Sequence, residues 1–130
     1  MSAGQHAGGG HDDGRPPVPE PSYAERARTL AYLGRIGSLS TLSRKQSGFP
    51  FGSVMPYALD SHGRPLFLIS TMAMHTQNLA SEPRASLLIT QEGSGDPLGA
   101  GRVTLLGKVG LVPEAGTARG PTRYLSFFQS

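Results

Sequence analysis

Five short apolar segments separated by turn-forming residues restrict the fold of this chain more than any other feature. Segments of about five to ten residues, separated by turns and one short helix, predict strands of a small antiparallel barrel. Pro56 lies inside the second segment and has no N–H for a sheet ladder, so it marks an edge or a bulge. The segments are 37–43, 51–60, 64–70, 85–90 and 102–112.

Two helices flank these strands in the pattern of the sequence. Ser22 and Glu25 have the spacing of a capping box, and apolar residues follow at helical intervals until Gly34. A shorter helical pattern lies within 71–84 and should end before Pro83, since the residue before a proline disfavours helix. The stretch 60–63 predicts a hairpin turn between the second and third strands. The fold class is therefore mainly β with short flanking helices.

The N-terminal segment differs in composition from the rest. Residues 1–22 hold five of the 18 Gly and four of the 11 Pro, and only Val18 is aliphatic beyond Ala and Met. Such a segment cannot form a core, so 1–22 is interpreted as a disordered tail and 23–130 as one domain. His6 and His11 lie in this tail without carboxylates in metal-site geometry, and we expect them to be solvated rather than metal ligands.

Charge and motifs exclude several classes of function. The net charge is +3 and there is no Cys, so thiolate metal sites and cysteine nucleophiles are ruled out. The basic residues are scattered rather than clustered, which does not favour nucleic acid binding. No apolar run is long enough to span a membrane and no secretory signal is visible, so we expect a cytoplasmic protein. Phosphate-loop, dinucleotide-fold, zinc protease and hydrolase motifs are absent.

Two polar clusters remain as candidate sites. In 52–57, Gly52 permits close approach of a ligand to the backbone, Ser53 carries a hydroxyl, and Tyr57 offers an amphipathic ring. The second cluster combines hydroxyls, a histidine and a helix N-terminus, which together suit a phosphate monoester. Its members are Ser70, Thr71, His75, Thr76 and Asn78. The simpler alternative is an N-cap at Ser70 or Thr71, a solvated His75 and a turn residue at Asn78.

The run from GSLSTLS at 37–43 through HTQNLASEPRASLL at 75–88 to GRVTLLGKV at 101–109 resembles a known family. It is similar to the FMN-binding split barrels of the pyridoxamine 5′-phosphate oxidase-like proteins. The similarity is to the branch of bacterial haem-utilisation proteins and cellular repressor glycoproteins. The resemblance covers about 23–112.

The resemblance implies a six-stranded antiparallel Greek-key barrel that forms a homodimer, with a flavin in each groove at the interface. It implies that the second strand follows the isoalloxazine and ribityl chain, that the second polar cluster holds the phosphate, and that Arg102 approaches from the side or from the partner chain. The implied cofactor-binding residues are Gly52, Ser53, Val54, Tyr57, Ser70, Thr71, His75, Thr76, Asn78 and Arg102.

The sequence also departs from the family. The oxidases carry cations at the positions of Gly52, Tyr57 and His75, so the strongest phosphate ligands are missing here. Charge-assisted hydrogen bonds are the strong ones, and flavin affinity should fall accordingly. The substrate-binding C-terminal part of the oxidases is absent, so oxidation of pyridoxamine phosphate is not expected.

The C-terminal region raises a further expectation. The resemblance assigns 123–125 to a helix that precedes a closing strand, and we expect that last strand to be lacking. The aromatic group of Tyr124, Phe127 and Phe128 should then dock onto the barrel or enter a partner.

Three functions follow from these observations. The first is an FMN-binding protein, acting as a flavin-dependent oxidoreductase on a small molecule that the sequence does not identify. The second is a haem- or tetrapyrrole-binding protein on the same barrel, with His62 or His75 as axial ligand. The third is a dimeric interaction module without a cofactor.

Overall fold

The computed structural model describes residue 14 and residues 18–93, 95–96, 98–112 and 122–128. Two helices and seven strands lie in this part of the chain. In chain order they are α1 (Tyr23–Leu33), β1 (Ile36–Leu42), β2 (Pro50–Pro56), β3 (Ala58–Leu59), β4 (Pro65–Ser70), α2 (Met74–Ser81), β5 (Arg84–Thr90), β6 (Arg102–Leu111) and β7 (Thr122–Phe128). The predicted class, mainly β with two short helices, is confirmed.

Helix α1 begins and ends where the sequence indicates. The Ser22 side chain accepts a hydrogen bond from the Glu25 backbone N–H at 3.2 Å, which caps the first turn. The helix ends at Leu33, and a Cβ on Gly34 would lie 2.5 Å from the Tyr57 hydroxyl oxygen. Glycine is therefore required at this position by close packing. Ala31 is the buried residue of the helix.

The strands form one antiparallel sheet with the order β2-β1-β5-β6-β7-β4-β3. Its two edge strands, β2 and β3, follow each other in the chain and are separated by Tyr57 alone. The sheet must therefore curl until its edges meet, which makes a barrel. The strand predicted at 51–60 divides here, since Pro56 has no N–H and the Tyr57 N–H donates to the Arg35 carbonyl at 3.0 Å.

The expectation for the C-terminal region is wrong. The residues assigned to a helix at 123–125 lie in strand β7, which pairs with β4 on one side and β6 on the other. The barrel therefore has the strand that was expected to be lacking. The residues at 113–121 and 129–130, and residues 1–13 and 15–17 of the tail expected at 1–22, lie outside the described residues.

The core consists of inward-facing side chains of the sheet together with one residue of each helix. The largest buried apolar members are Phe67 on β4 and Leu39, Leu87 and Ile89 on β1 and β5, all 0% exposed. Leu79 of α2 closes the core beside β1, and Ala31 of α1 packs against the same cluster. Apolar side chains alternate with outward ones along each strand, as expected for a barrel with one buried face.

Candidate functional site

Four neighbouring strands present a broad outward face. In β2, β1, β5 and β6 the register places the even-numbered residues opposite one another, and these point away from the core. The face is partly apolar, because Val54 and Leu106 are 73% and 68% exposed. Ile36, Leu42 and Leu88 are also exposed on it. An exposed patch of this kind marks a binding surface.

A groove of about 560 Å³ lies at one end of this face. Its apolar lining includes Leu42, Pro50 and Leu106, and its hydroxyl groups come from Ser40 and Ser86. The opening is shallow, so a ligand lying here would rest on the sheet rather than enter the core.

Two cationic side chains, those of Arg84 and Lys108, lie next to each other at this groove. Arg84 is directly opposite Lys108 in the β5–β6 register, and both line the groove. Glu82 accepts a hydrogen bond from the Arg84 Nε at 2.7 Å, which orients the guanidinium. This contact lowers the pKa of the Glu82 carboxyl, with Lys108 adding to the effect. Two positive charges beside one negative charge favour an anionic ligand group.

Sequence reasoning did not assign a role to this pair. Arg84 and Lys108 are 24 positions apart in the sequence, and only the strand register brings them together. The signal that could have identified them is an arginine directly before one predicted strand and a lysine in the second half of the next antiparallel one.

The candidate residues of strand β2 divide between the two faces of the sheet. Gly52 and Val54 point outward, and nothing lies within 4 Å of the place where a Cβ on Gly52 would be. Ser53 is half-buried, and its hydroxyl donates to the Leu39 carbonyl at 3.5 Å. The open space above Gly52 therefore agrees with close approach of a ligand to the backbone.

Tyr57 has a structural role in this fold. Its hydroxyl donates to the Ala31 carbonyl at 2.7 Å and ties α1 to the junction of β2 and β3. Burial raises the pKa of the phenol, and the charge of Glu92 adds to the rise. The side chain is half-buried beside the core, so its ring does not lie on the outer face.

The residues predicted to hold a phosphate are brought together, but most of their polar atoms are bonded internally. The Thr76 hydroxyl donates to the Ser70 carbonyl at 2.5 Å, and the Ser70 hydroxyl accepts from the Met72 N–H at 3.2 Å. Thr71 is half-buried beside them. Helix α2 begins after Ala73, without a side-chain cap. The predicted N-cap at Ser70 or Thr71 is therefore wrong.

Asn78 is the most deeply buried of these residues. It is 0% exposed, its Oδ1 accepts from the Arg44 N–H at 2.9 Å, and its Nδ2 donates to the Thr41 Oγ1 at 3.1 Å. These bonds fasten α2 to β1 and to the loop that follows β1. The side chain is therefore engaged in the fold, and its role in cofactor binding stays a prediction. The interpretation as a turn residue is wrong, since Asn78 lies inside α2.

His75 lies in the first turn of α2 and is half-buried. Burial lowers the pKa of its imidazole, and Nε2 has no hydrogen-bond partner among the described residues. His62, the other proposed axial ligand, lies in the exposed turn whose backbone N–H groups at His62 and Arg64 donate to Asp60. Neither imidazole lies on the outer face formed by β2, β1, β5 and β6.

Arg102 is separated from the phosphate cluster within one chain. Arg102 is the first residue of β6 and pairs with Thr90 at one end of the sheet. Asn78 contacts β1 near the opposite end of the sheet. Six residues of strand separate these ends, about 20 Å at 3.3 Å per residue. Arg102 is also three strands from β2, about 14 Å. It lines a different cavity, beside α1.

The described residues contain no group of three or more His, Cys, Asp or Glu side chains that could hold a metal ion. Among the same residues, no helix has the length and apolar character that crossing a membrane requires. The cytoplasmic location stays a prediction.

Comparison with known structures places the barrel in a fold class. The FAD-binding protein of Mesorhizobium loti matches 84% of this chain and 89% of its own length, with a TM-score of 0.67 and 16% identity. The haem binding protein of Mycobacterium smegmatis matches 85% of this chain with a TM-score of 0.74 and 33% identity. The protein is thus a split barrel of the pyridoxamine 5′-phosphate oxidase-like fold.

The family follows from the sequence match. The model of the CREG beta-barrel family matches 18–126, and the chain belongs to that family. A relative from Arabidopsis thaliana, the chloroplastic non-canonical haem oxygenase HOZ, is 38% identical over 105 residues. The chain spans 32% of that relative and 52% of the Mycobacterium smegmatis protein.

Proposed function

We propose that this protein binds a flat, largely apolar cofactor with carboxylate groups, of the haem class, on the outer face of β2, β1, β5 and β6. The observation that carries the proposal is the pairing of Arg84 with Lys108 at one end of an exposed apolar surface. A porphyrin has the matching distribution, with an apolar disc and propionates along one edge. The names of the Arabidopsis and Mycobacterium relatives, which mention haem, agree with this choice.

The residues present fit the organic part of haem. Leu42 and Leu106 flank the cations, and Val54 and Leu88 extend the apolar surface toward the far end of the strands. The face measures about 20 Å along the strands and about 14 Å across, which accommodates one porphyrin. Haem, when bound, would supply redox chemistry at its iron. The described residues of this face include no histidine that could coordinate the iron.

FMN is the second candidate, and the open space above Gly52 favours it. A flavin ring could lie along β2 at this point, and the protein would then be a flavin-dependent oxidoreductase. The phosphate fits less well. Asn78 and Thr76 are bonded within the fold, and the position of His75 supplies a neutral, half-buried imidazole instead of a cation. The residues available to anchor a phosphate therefore support FMN less strongly than Arg84 and Lys108 support haem.

We also propose that a second copy of the chain covers the cofactor. A shallow groove on an exposed sheet leaves one side of a flat ligand in water, and exposed Val54 and Leu106 have the character of an interface. Apposition of two such faces would enclose two cofactors and would bring Arg102 of one chain near β2 of the other. The proposed homodimer thus uses the same surface as the proposed cofactor site.

The test is titration of the purified protein with haemin and, separately, with FMN, followed by absorbance and by light scattering. We expect saturable haemin binding with a shifted Soret band, formation of a dimer, and weaker uptake of FMN. The double variant Arg84→Ala with Lys108→Ala should bind haemin about thirtyfold more weakly, since two ionic contacts are lost.

The matched control removes two exposed cations elsewhere, with Arg28→Ala and Lys45→Ala. This variant has the same net charge, and its haemin affinity should stay within about twofold of the unaltered protein. Equal losses in both variants would show unspecific attraction and refute the site. Uptake of FMN in preference to haemin would establish the flavin alternative, and uptake of neither would establish the module without a cofactor.

A further inference from the structure

The centre of the outer face formed by β2, β1, β5 and β6 carries small side chains. Ser40 on β1 lies opposite Gly52 on β2 and opposite Ser86 on β5, so these three residues form one row across the sheet. Nothing lies within 4 Å of the place where a Cβ on Gly52 would be, and both serines are half-buried. The row is therefore a shallow depression, in which a flat ligand can approach the backbone closely.

Exposed apolar side chains border this depression. Leu106 on β6 extends the row beyond Ser86. Val54 and Leu88 belong to the next row, where both lie opposite Ser38. All three apolar residues are exposed. An apolar disc resting over the depression would remove part of each of them from water.

The two cations occupy the row on the other side of the depression. Arg84 precedes Ser86 by two residues on β5, and Lys108 follows Leu106 by two residues on β6. Neighbouring rows are about 6.6 Å apart, because a strand rises about 3.3 Å per residue. When carboxylates on one edge of a porphyrin reach these cations, its ring lies over the depression and the apolar border. The centre of the ring, where a metal is held, then lies above glycine, serine and aliphatic side chains.

The four strands of this face offer no side chain suited to coordinate a metal in the ring. Haem iron takes its protein ligands from His, Cys, Met or Tyr. These strands contain no His, Cys or Tyr, and their one methionine, Met55, is 3% exposed in the core. His62 lies in the turn at 60–63 and His75 in α2, both away from the face. A second copy apposed through the same face would present the same strands to the other side of the ring.

We propose that the site recognises the porphyrin ring and its carboxylates and not the metal, so that a metal-free dicarboxylic porphyrin binds as tightly as haem. The inference rests on the proposed function and widens its ligand class from haem to porphyrins with or without a metal. The attractions that the face offers are apolar burial and ionic contacts with Arg84 and Lys108. Both depend on parts of the ligand that haem and its metal-free counterpart share.

The first experiment compares haemin with protoporphyrin IX, which has the same ring and the same two propionates but no iron. Each is titrated into the full chain and followed by quenching of the fluorescence of its four tyrosines. We expect the two Kd values to agree within about threefold. Tighter binding of haemin by more than this factor would overturn the inference and leave the proposed function standing. Binding of neither ligand would overturn the proposed function and the inference together.

The second experiment asks whether any histidine coordinates the iron. A variant with His6, His11, His62 and His75 each replaced by Gln lacks every histidine of the chain. Its Kd for haemin should stay within about twofold of that of the unaltered protein, and the Soret band of the bound haemin should be the same. Protoporphyrin IX is the matched control for folding, because it needs the same surface but no ligand to a metal. Weaker binding of haemin with unchanged binding of protoporphyrin IX would identify a histidine ligand and overturn the inference.

Discussion

Replacement of Asn78 by leucine tests whether this residue is structural or belongs to a cofactor site. The side chain is 0% exposed and makes two hydrogen bonds, to the Arg44 N–H and the Thr41 hydroxyl. Leucine has a similar volume, but it leaves the Arg44 N–H without an acceptor. A buried donor without an acceptor costs about 1–3 kcal/mol, and the lost bond to Thr41 costs about 1 kcal/mol more. We expect the free energy of unfolding to fall by about 2–4 kcal/mol.

The assay is urea unfolding followed by circular dichroism, with the free energy extrapolated to water. Ser81→Ala in the same helix is the matched control, because Ser81 is exposed at the end of α2, and it should change the free energy by less than about 0.5 kcal/mol. A loss below about 0.5 kcal/mol for Asn78→Leu would refute the structural role and would return Asn78 to the candidate ligand site.

Three further predictions concern close packing and titration. Gly34→Ala should lower the free energy of unfolding by about 1–3 kcal/mol, because its Cβ would meet the Tyr57 hydroxyl at 2.5 Å. Gly52→Ala, which adds a Cβ in open space, should leave the free energy of unfolding nearly unchanged. Equal losses of free energy in Gly34→Ala and Gly52→Ala would contradict the packing argument. Tyr57→Phe should cost about 1 kcal/mol in urea unfolding through loss of the bond to Ala31, and an unchanged value would exclude that bond. The lowered pKa of His75 means that the unfolded chain binds a proton more readily. Stability should therefore decline as pH falls below about 6.5, and this decline should flatten in His75→Gln. A profile unchanged by that variant would contradict the burial of the imidazole.

Local sequence signals predicted the structure correctly where residues close together in the sequence determine it. The Ser22 and Glu25 capping box located the start of α1, and the turn at 60–63 follows from Asp60 and Gly63, whose φ is +75°. Both features depend on contacts within four residues. Their physical cause is present in the sequence itself.

Roles that depend on distant contacts could not be predicted in this way. Asn78 and Thr41 are 37 positions apart, and Tyr57 reaches Ala31 across 26 positions. The same polar side chains would suit a ligand or an internal bond, and only the three-dimensional structure distinguishes the two. The resemblance indicated the barrel correctly, but its positions for the phosphate coincide here with internal hydrogen bonds.

The C-terminal region shows the limit of local pattern for strands. The residues at 124–128 are mostly apolar without strict alternation and are compatible with several structures, and the strand forms because β4 and β6 offer open edges on both sides. Such a partner-dependent strand has no local signal comparable to a capping box. The pairing of Arg84 with Lys108 likewise depends on register alone.

The central claim is that carboxylates of a flat cofactor meet Arg84 and Lys108, and the most direct measurement is a thermodynamic cycle between ligand and protein. Haemin and its dimethyl ester are titrated into the unaltered protein and into the Arg84→Ala with Lys108→Ala variant. We expect the double variant to lose about thirtyfold in affinity for haemin and less than about threefold for the ester, which lacks the charges. Equal losses for the two ligands would contradict the account, because the cations would then contribute nothing through the carboxylates.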